Sequence, residues 1–267
     1  MEPIGPWLAS QMLNSRLPSF LKRSSTKMQI QLANVTKVYG SKRALSHIHL
    51  DFMPGQIVAV VGVNGAGKST LLQIMAGLLV PTSGAVYYDE AVLQRRRIDL
   101  RKRFHLLPDF PFFFAGATVL SHIAMMLELY DRDTPEARER VTNLLEALDL
   151  LPLVRSPVYT LSRGQMYKAA LLGLIAVQPD LWMLDEPFAS GMDPRGLRVF
   201  REEAQRAAAT GATVLFSSQI LAAAEQIATH VLILHEAEVK AFAPLDQLRR
   251  DTAGNPNLEA VFSNLTR

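Results

Sequence analysis

The sequence contains no cysteine, and this absence removes a whole group of chemistries from consideration. Disulfide frameworks, thiolate metal sites and cysteine nucleophiles are all excluded. The chain also lacks any apolar run near the roughly 20 residues that cross a bilayer. If the protein serves a membrane process, we therefore expect another chain to supply the membrane-spanning part.

Charge is almost balanced. The 28 basic and 25 acidic residues leave a net charge of +3, which does not by itself predict a nucleic-acid partner. Apolar residues make up 49% of the chain and charged residues 20%, as in ordinary globular proteins. The six histidines show no metal-ligand spacing and are predicted to be structural. The function therefore has to be inferred from local sequence motifs.

A glycine-rich stretch carries the clearest of these motifs. The phosphate-loop pattern G-x-x-x-x-G-K-[ST] is met by Gly62-Val63-Asn64-Gly65-Ala66-Gly67-Lys68-Ser69-Thr70. An apolar, β-branched segment at 57–61 precedes it and helix formers at 71–76 follow it, which is the context that the motif requires. Glycines let backbone N–H groups wrap around a phosphate, and the helix N-terminus adds partial positive charge. We therefore predict that the chain binds a nucleoside triphosphate.

Side chains of this loop and of a later strand have predicted roles. Lys68 is placed to reach the β- and γ-phosphates, and the Ser69 hydroxyl is placed to bind Mg²⁺. The apolar strand 181–184 ends in Asp185 and Glu186, at the sheet edge where nucleotides bind. Asp185 is predicted to bind Mg²⁺ and Glu186 to polarise the attacking water. The rest of the loop completes the predicted nucleotide-binding set: Gly62, Asn64, Gly65, Ala66, Gly67 and Thr70.

The order of predicted elements indicates an α/β fold. Alternating polar and apolar residues at 28–52 predict antiparallel strands with a turn near Gly40. Buried strands and helices then alternate. This predicts a P-loop NTPase core with a mainly parallel sheet, an antiparallel β subdomain and an inserted α-helical subdomain at about 110–178. The predicted domain spans 28–250 and is followed by a tail at 251–267. The extension at 1–27 is either a flexible tail or an organelle-type targeting peptide.

A third motif makes a family resemblance specific. Leu161-Ser162-Arg163-Gly164-Gln165 lies between the two nucleotide motifs and precedes an apolar helix. In this order the motifs resemble the nucleotide-binding domain of ABC transporters over about residues 28–250. The resemblance implies a head-to-tail dimer with ATP between one phosphate loop and the partner's signature segment, where Ser162, Gly164 and Gln165 bind nucleotide. The residues alone leave a simpler role for Ser162 open, that of a helix N-cap.

Three more parts of the sequence match the same family. Tyr39 aligns with the aromatic residue that stacks on adenine, although a sheet-surface tyrosine is the alternative. Residues 190–193 resemble the loop that crosses the dimer interface, with an ordinary turn and an N-cap Asp193 as the alternative. The closing segment 258–266 resembles the tail of ATPases from multidrug/ABC-2-type exporters.

Three residues depart from the family pattern. Asp109 stands where the family usually has a glutamine that touches Mg²⁺, and Arg163 stands where it has a glycine. Gln219 replaces a histidine that contacts the γ-phosphate and supports Glu186. A neutral amide cannot carry the imidazolium charge, which predicts slow hydrolysis. The predicted catalytic residues are thus Glu186 and Gln219, and the predicted metal ligands are Ser69, Asp109 and Asp185.

Two surface segments have open interpretations. Residues 95–103 hold six Arg or Lys, which indicates a solvated face or, alternatively, a contact with lipid headgroups or nucleic acid. Four phenylalanines surround Pro111 and either pack inside the inserted lobe or form an apolar groove for a helix of a membrane partner: Phe110, Phe112, Phe113 and Phe114.

The combined prediction is an ATP-binding and ATP-hydrolysing motor subunit of an ABC membrane transporter, an exporter by its tail, with ATP and Mg²⁺ as cofactors. The expected partners are a transmembrane permease subunit and a second nucleotide-binding domain in a homo- or heterodimer. The expected location is the cytoplasmic face of the membrane, with no nucleic acid bound. The alternative is a degenerate, slowly hydrolysing ATP-binding partner in a heterodimeric complex. A family member acting on nucleic acid ranks last, because the chain has no room for a second nucleotide domain.

Overall fold

The computed structural model describes residues 28–250 and 257–266. The predicted extension at 1–27, residues 251–256 and residue 267 lie outside the described residues. The described chain forms one sheet of four strands and one of six. The strands are β1 (Ile30–Tyr39), β2 (Lys42–Phe52), β3 (Ile57–Val61), β4 (Ser83–Tyr88), β5 (Ala91–Val92), β6 (Phe104–Leu107), β7 (Leu181–Leu184), β8 (Thr213–Ser218), β9 (His230–His235) and β10 (Glu238–Pro244).

The α-helices lie between the strands and after the last of them. They are α1 (Lys68–Met75), α2 (Ile98–Arg101), α3 (Val119–Leu129), α4 (Pro135–Ala147), α5 (Arg163–Val177), α6 (Pro194–Ala209), α7 (Leu221–Glu225), α8 (Leu245–Arg250) and α9 (Leu258–Leu265). Within 28–250 and 257–266, no helix has the length and apolar character needed to cross a membrane.

The larger sheet has the strand order β10-β9-β3-β8-β7-β6. Strands β9, β3, β8, β7 and β6 are parallel, and only the edge strand β10 pairs in the antiparallel sense, with β9. The prediction of a mainly parallel sheet is confirmed. Since the carboxyl ends of parallel strands share one edge, this topology brings the ends of β3, β6, β7 and β8 together.

The central strands of this sheet are buried on both faces. Ile57 and Val61 of β3 belong to the apolar cluster that includes α3, α4 and α5, whereas Val58 and Val60 belong to a second cluster that includes the antiparallel sheet. Strand β7 alternates in the same way. A parallel strand covered on both sides needs apolar residues throughout. This explains why the sequence at 57–61 and 181–184 is uninterrupted in its apolar character.

The four-stranded sheet is antiparallel, with the order β2-β1-β4-β5. Strands β1 and β2 form the predicted hairpin across a turn at Gly40, whose φ of 57° lies in the left-handed region that favours glycine. Inward residues of β1 alternate with exposed ones, as the polar–apolar pattern predicts. The antiparallel prediction is therefore confirmed.

Helices α3, α4 and α5 form the predicted helical lobe between β6 and β7. The Thr118 side chain caps α3, and the Thr134 side chain caps α4, with Pro135 at the first helical position. Helix α4 ends at Ala147, and Asp149 just beyond it has a left-handed φ of 59°. The limits of the lobe at 110–178 stay a prediction.

The four phenylalanines around Pro111 do not share one environment. The side chains of Phe110, Phe112 and Phe114 are 64%, 88% and 68% exposed. Only Phe113 packs against the core, with its ring centroid 4.6 Å from that of His122. Burial lowers the pKa of His122 to about 4, so this histidine is neutral at pH 7. Packing inside the lobe thus describes Phe113 alone.

The basic segment 95–103 is partly engaged in intramolecular contacts. Arg95 donates hydrogen bonds to the carbonyl oxygens of Gly77 and Leu78, just after the C-terminus of α1. Arg103 pairs with Asp180 at 2.7 Å, next to the start of β7, and also with Asp89. These contacts tie the segment to the sheet edges, so part of its charge is structural and not an open solvated face.

Candidate nucleotide-binding site

A cavity of about 430 Å³ lies where the ends of β3, β7 and β8 meet the loop after β6. It is lined by Tyr39, Lys42, Ala44, Asn64, Gly65, Gly67, Lys68, Ser69, Thr70, Asp109, Asp185, Glu186 and Gln219. The sequence predicts every one of these residues as part of the site except Lys42 and Ala44. Motifs that are far apart in the sequence therefore line the same cavity.

Lys42 is a cation that sequence reasoning missed. Its ammonium lies 3.9 Å from the position that a Cβ on Gly65 would occupy, so a second positive charge stands beside the phosphate loop. The only signal in the sequence is a basic residue just after the turn that follows Tyr39. Gly62 and Ala66 belong to the motif but do not line the cavity.

The loop packs so closely against the rest of the fold that two of its glycines have no room for a side chain. A Cβ on Gly62 would lie 2.4 Å from the carbonyl oxygen of Leu234, and one on Gly67 would lie 2.4 Å from that of Ala44. Gly67 also has a φ of 109° and immediately precedes α1. The close approach holds the loop in a fixed position at the N-terminus of α1, which favours an anionic ligand.

Lys68 is nearly buried, with 6% of its side chain exposed, and it lines the cavity. Its Nζ donates to the carbonyl oxygens of Gly62 at 2.9 Å and of Val63 at 3.3 Å. The same atom lies 3.3 Å from Oε1 of Glu186. Buried charges require partners of this kind. The ammonium of the phosphate loop is thus held close to the carboxylate that ends the β7 motif.

Ser217 on β8 links the two acids that follow β7. Its hydroxyl donates to Oδ1 of Asp185 at 2.6 Å and accepts from the backbone N–H of Glu186 at 2.8 Å. Glu186 has a left-handed φ of 47°, unusual for a residue with a Cβ, and this conformation turns the chain sharply after Asp185. Sequence reasoning missed Ser217, because a serine in a buried strand carries no motif.

Gln219 holds the carboxylate of Glu186 from the other side. Its side-chain Nε2 donates to Oε1 of Glu186 at 3.2 Å, and its backbone N–H donates to Oε2 at 3.3 Å. The amide at this position therefore orients Glu186, even though it carries no charge.

Asp109 lines the cavity, but one of its oxygens is engaged elsewhere. Nη2 of Arg163 donates to Oδ1 of Asp109 at 2.7 Å, and the Arg163 guanidinium lies 4.5 Å from the ring centroid of Phe110. The structure thus joins two of the departures from the family pattern in one ion pair. Both side chains are partly exposed, so the pair contributes only about 0–1 kcal/mol to stability.

The signature segment begins α5. Ser162 caps this helix by accepting from the backbone N–H of Gln165 at 3.3 Å, and Oε1 of Gln165 accepts from the Ser162 N–H at 2.9 Å. A Cβ on Gly164 would lie 2.2 Å from the carbonyl oxygen of Gly191, so the signature segment abuts the loop 190–193. Ser162, Gly164 and Gln165 are not among the residues that line the cavity. Their contact with nucleotide across a dimer stays a prediction.

The donor set at the cavity fits Mg²⁺. The oxygens of Ser69 and Asp185 are hard ligands, and Mg²⁺ is usually held by one or two carboxylates together with substrate phosphates. No cluster of three or more His, Asp or Glu in the described ranges is arranged to hold a metal ion.

A phosphate loop between a parallel strand and a helix, facing acids at the end of a neighbouring strand, defines a P-loop nucleoside-triphosphate-binding protein. The family model described as ABC transporter matches residues 45–189. The chain belongs to this family, as one of its ATP-binding subunits, and the family as a whole hydrolyses ATP.

Three individual proteins with similar sequences are also named as ATP-binding proteins. The chain is 28% identical to the ABC-type transporter ATP-binding protein EcsA of Bacillus subtilis, over 89% of this chain and 96% of that protein. It is 27% identical to the Nod factor export ATP-binding protein I of Cupriavidus metallidurans, over 77% of this chain and 67% of that protein. It is 28% identical to the sulfate/thiosulfate import ATP-binding protein CysA 1 of Agrobacterium fabrum, over 88% and 68%.

A solved structure of an ATP-binding subunit of an ABC transporter superposes with a TM-score of 0.83 at 28% identity. The superposition covers 89% of this chain and 99% of that one. The predicted P-loop NTPase fold with its antiparallel and helical subdomains is thereby confirmed.

Proposed function

We propose that this chain is the ATP-hydrolysing motor subunit of an exporter. It closes on a second nucleotide-binding domain when ATP binds and reopens after hydrolysis. The observation that carries the proposal is the convergence of Lys68, Asp185, Glu186 and Gln219 on one cavity. A membrane permease subunit would receive the motion, with this chain at the cytoplasmic face of the membrane and no nucleic acid bound.

The residues divide the work in a way that follows from their chemistry. Lys68 and the N–H groups of the loop bind the β- and γ-phosphates, and Tyr39, which is 46% exposed at the cavity edge, stacks on the base. Glu186 accepts a proton from the attacking water, while Gln219 keeps its carboxylate oriented. Mg²⁺, held by Ser69 and Asp185 with Asp109 nearby, would neutralise charge on the phosphates. Asp185 is itself oriented by Ser217.

The dimer and the direction of transport rest on family likeness. Ser162, Gly164 and Gln165 would contact the nucleotide held by the partner domain. Export is supported by the C-terminal segment, which forms α9 against α7 and α8, and by the relative named for Nod factor export. The similarity to a relative named for sulfate and thiosulfate import weakens the support for export. It does not affect the proposal that this chain is a motor subunit.

The substitution Gln219→His tests the proposed motor function and also the prediction that this chain hydrolyses ATP slowly. A histidine at this position adds a charge-assisted contact to the transition state, so we expect the steady-state ATP turnover to rise on the order of 30-fold. Gln247→His, at an exposed position on α8, is the control and should leave turnover unchanged.

Each result of this assay has a distinct meaning. No ATP hydrolysis by either protein would contradict the motor function. Turnover that falls or stays level in Gln219→His would show that the glutamine is no handicap and would remove the case for a degenerate, slowly hydrolysing partner.

A further inference from the structure

The hydroxyl of Tyr167 is a buried polar group that the proposed function leaves without a task. Tyr167 lies on α5, and its side chain is 0% exposed. Its hydroxyl makes no hydrogen bond to any residue that the structure describes. Buried polar atoms without a protein partner are rare, because each forfeits the hydrogen bonds it makes in water. A buried hydroxyl of this kind calls for a functional explanation.

The position of Tyr167 relates it to the acidic side of the cavity. Arg163 lies four residues earlier on α5, on the same face of the helix, and it is bonded to Asp109. Tyr167 also belongs to the same buried cluster as Leu107 and Leu184, the last residues of β6 and β7. Asp109 and Asp185 follow those two leucines within two residues. The tyrosine thus lies one helical turn from the residue that holds Asp109, within the core on which β6 and β7 end.

The electrostatic surroundings define what the hydroxyl can do. Burial raises the pKa of Tyr167 well above its usual range, and the negative charges of Asp185, Asp109 and Glu186 raise it further. The phenol therefore keeps its proton at neutral pH and remains a hydrogen-bond donor. Ionised carboxylates only accept hydrogen bonds, so the donor is matched to its surroundings.

We propose that Tyr167 is a positioning residue of the nucleotide site, whose hydroxyl donates a hydrogen bond into the cluster of Asp109, Asp185 and Glu186 when Mg²⁺ and ATP are bound. The hydrogen bond is direct or passes through one water molecule. It stabilises the arrangement of carboxylates that the metal and the attacking water require. This role rests on the proposed function, because it presupposes a metal–nucleotide complex in the cavity.

The chain offers a matched control for the test. Tyr88 is also 0% exposed, but its hydroxyl donates to the carbonyl oxygen of Met75 at 2.6 Å. Tyr88→Phe removes a satisfied hydrogen bond between residues that do not line the cavity, so the thermal midpoint should fall while turnover stays unchanged. Tyr167→Phe removes an unsatisfied donor, so the midpoint should stay level or rise. The two variants should therefore move stability in different directions.

ATP turnover should fall in Tyr167→Phe and stay at the wild-type value in Tyr88→Phe. We expect Tyr167→Phe to lower turnover at saturating ATP about tenfold, the effect of one hydrogen bond to a charged group. Its affinity for ATP should fall several-fold in the presence of Mg²⁺ and remain at the wild-type value in EDTA, as measured by calorimetry. A purely structural role would not produce this dependence on the metal.

Every outcome of these measurements decides the proposal. Wild-type turnover and wild-type Mg²⁺·ATP affinity in Tyr167→Phe would overturn it, and so would a midpoint that falls as far as in Tyr88→Phe. If the wild-type protein binds ATP without hydrolysing it, the affinity measurements still decide. A wild-type protein that binds no ATP would contradict both the proposed function and the role of Tyr167. An active wild type together with unchanged turnover and ATP affinity in Tyr167→Phe would contradict only the role of Tyr167.

Discussion

Glu186→Gln is expected to lower ATP turnover by about 100-fold or more while the protein continues to bind ATP. A positioned general base contributes roughly 10²–10⁴-fold to a rate, and a glutamine amide cannot accept the proton. The shape of the site should survive, since the amide oxygen still accepts from the backbone N–H of Gln219. Binding should even tighten, because the ion pair between Glu186 and Lys68 at 3.3 Å is lost and the ammonium is free for phosphate.

The measurement for Glu186→Gln combines a steady-state ATPase assay with equilibrium ATP binding. Glu259→Gln, an exposed substitution on α9, is the matched control and should behave as wild type. Turnover within a few-fold of wild type in Glu186→Gln would mean that another group accepts the proton.

Gly67→Ala is expected to destabilise the phosphate loop severely. The new Cβ would lie 2.4 Å from the carbonyl oxygen of Ala44, a backbone atom that cannot move by a rotamer change. The φ of 109° is also unfavourable for alanine. Strain and overpacking together cost about 2–5 kcal/mol, relieved only if the loop shifts. A displacement of about 1 Å at a ligand site is worth roughly 100-fold, so ATP affinity should fall by that order.

Gly116→Ala separates backbone strain from the steric clash. Gly116 also has a left-handed φ, 78°, but a Cβ there meets no atom within 4 Å. We expect a loss of about 1–2 kcal/mol in the free energy of unfolding and no change in ATP affinity. Denaturant unfolding and calorimetry check both variants. Equal effects of the two alanines on ATP binding would contradict the close packing of the loop on β2.

Much of the fold was predictable because its signals are local. The strands at 57–61 and 181–184 lie between two apolar layers, so every position is apolar and the pattern is visible without any partner. The helix starts at Thr118 and Thr134 were predictable for a similar reason, since a cap residue and the backbone it satisfies lie within three residues. The phosphate loop was likewise predictable, because its motif lies within nine consecutive residues.

The contacts that sequence reasoning missed are non-local. Arg163 and Asp109 are 54 residues apart, and no periodicity relates the start of α5 to the loop after β6. Ser217 acts only because parallel pairing places the end of β8 beside the end of β7. The phenylalanines of the segment after β6 lie outside helices and strands, so no repeat indicates that Phe113 turns inward while Phe112 is exposed. Such pairings follow from the tertiary arrangement alone.

ATP binding by Lys68 and the phosphate loop is the central requirement of the proposed function. Isothermal titration calorimetry of the purified chain with Mg²⁺·ATP, for wild type, Lys68→Ala and the control Lys240→Ala, tests this most directly. Lys240 lies on β10, where it pairs with Glu238 outside the cavity. We predict saturable ATP binding by wild type and Lys240→Ala, and a loss of about 100-fold in affinity in Lys68→Ala, as expected for a charged hydrogen bond. Equal ATP affinity in all three proteins, or no binding by wild type, would contradict it.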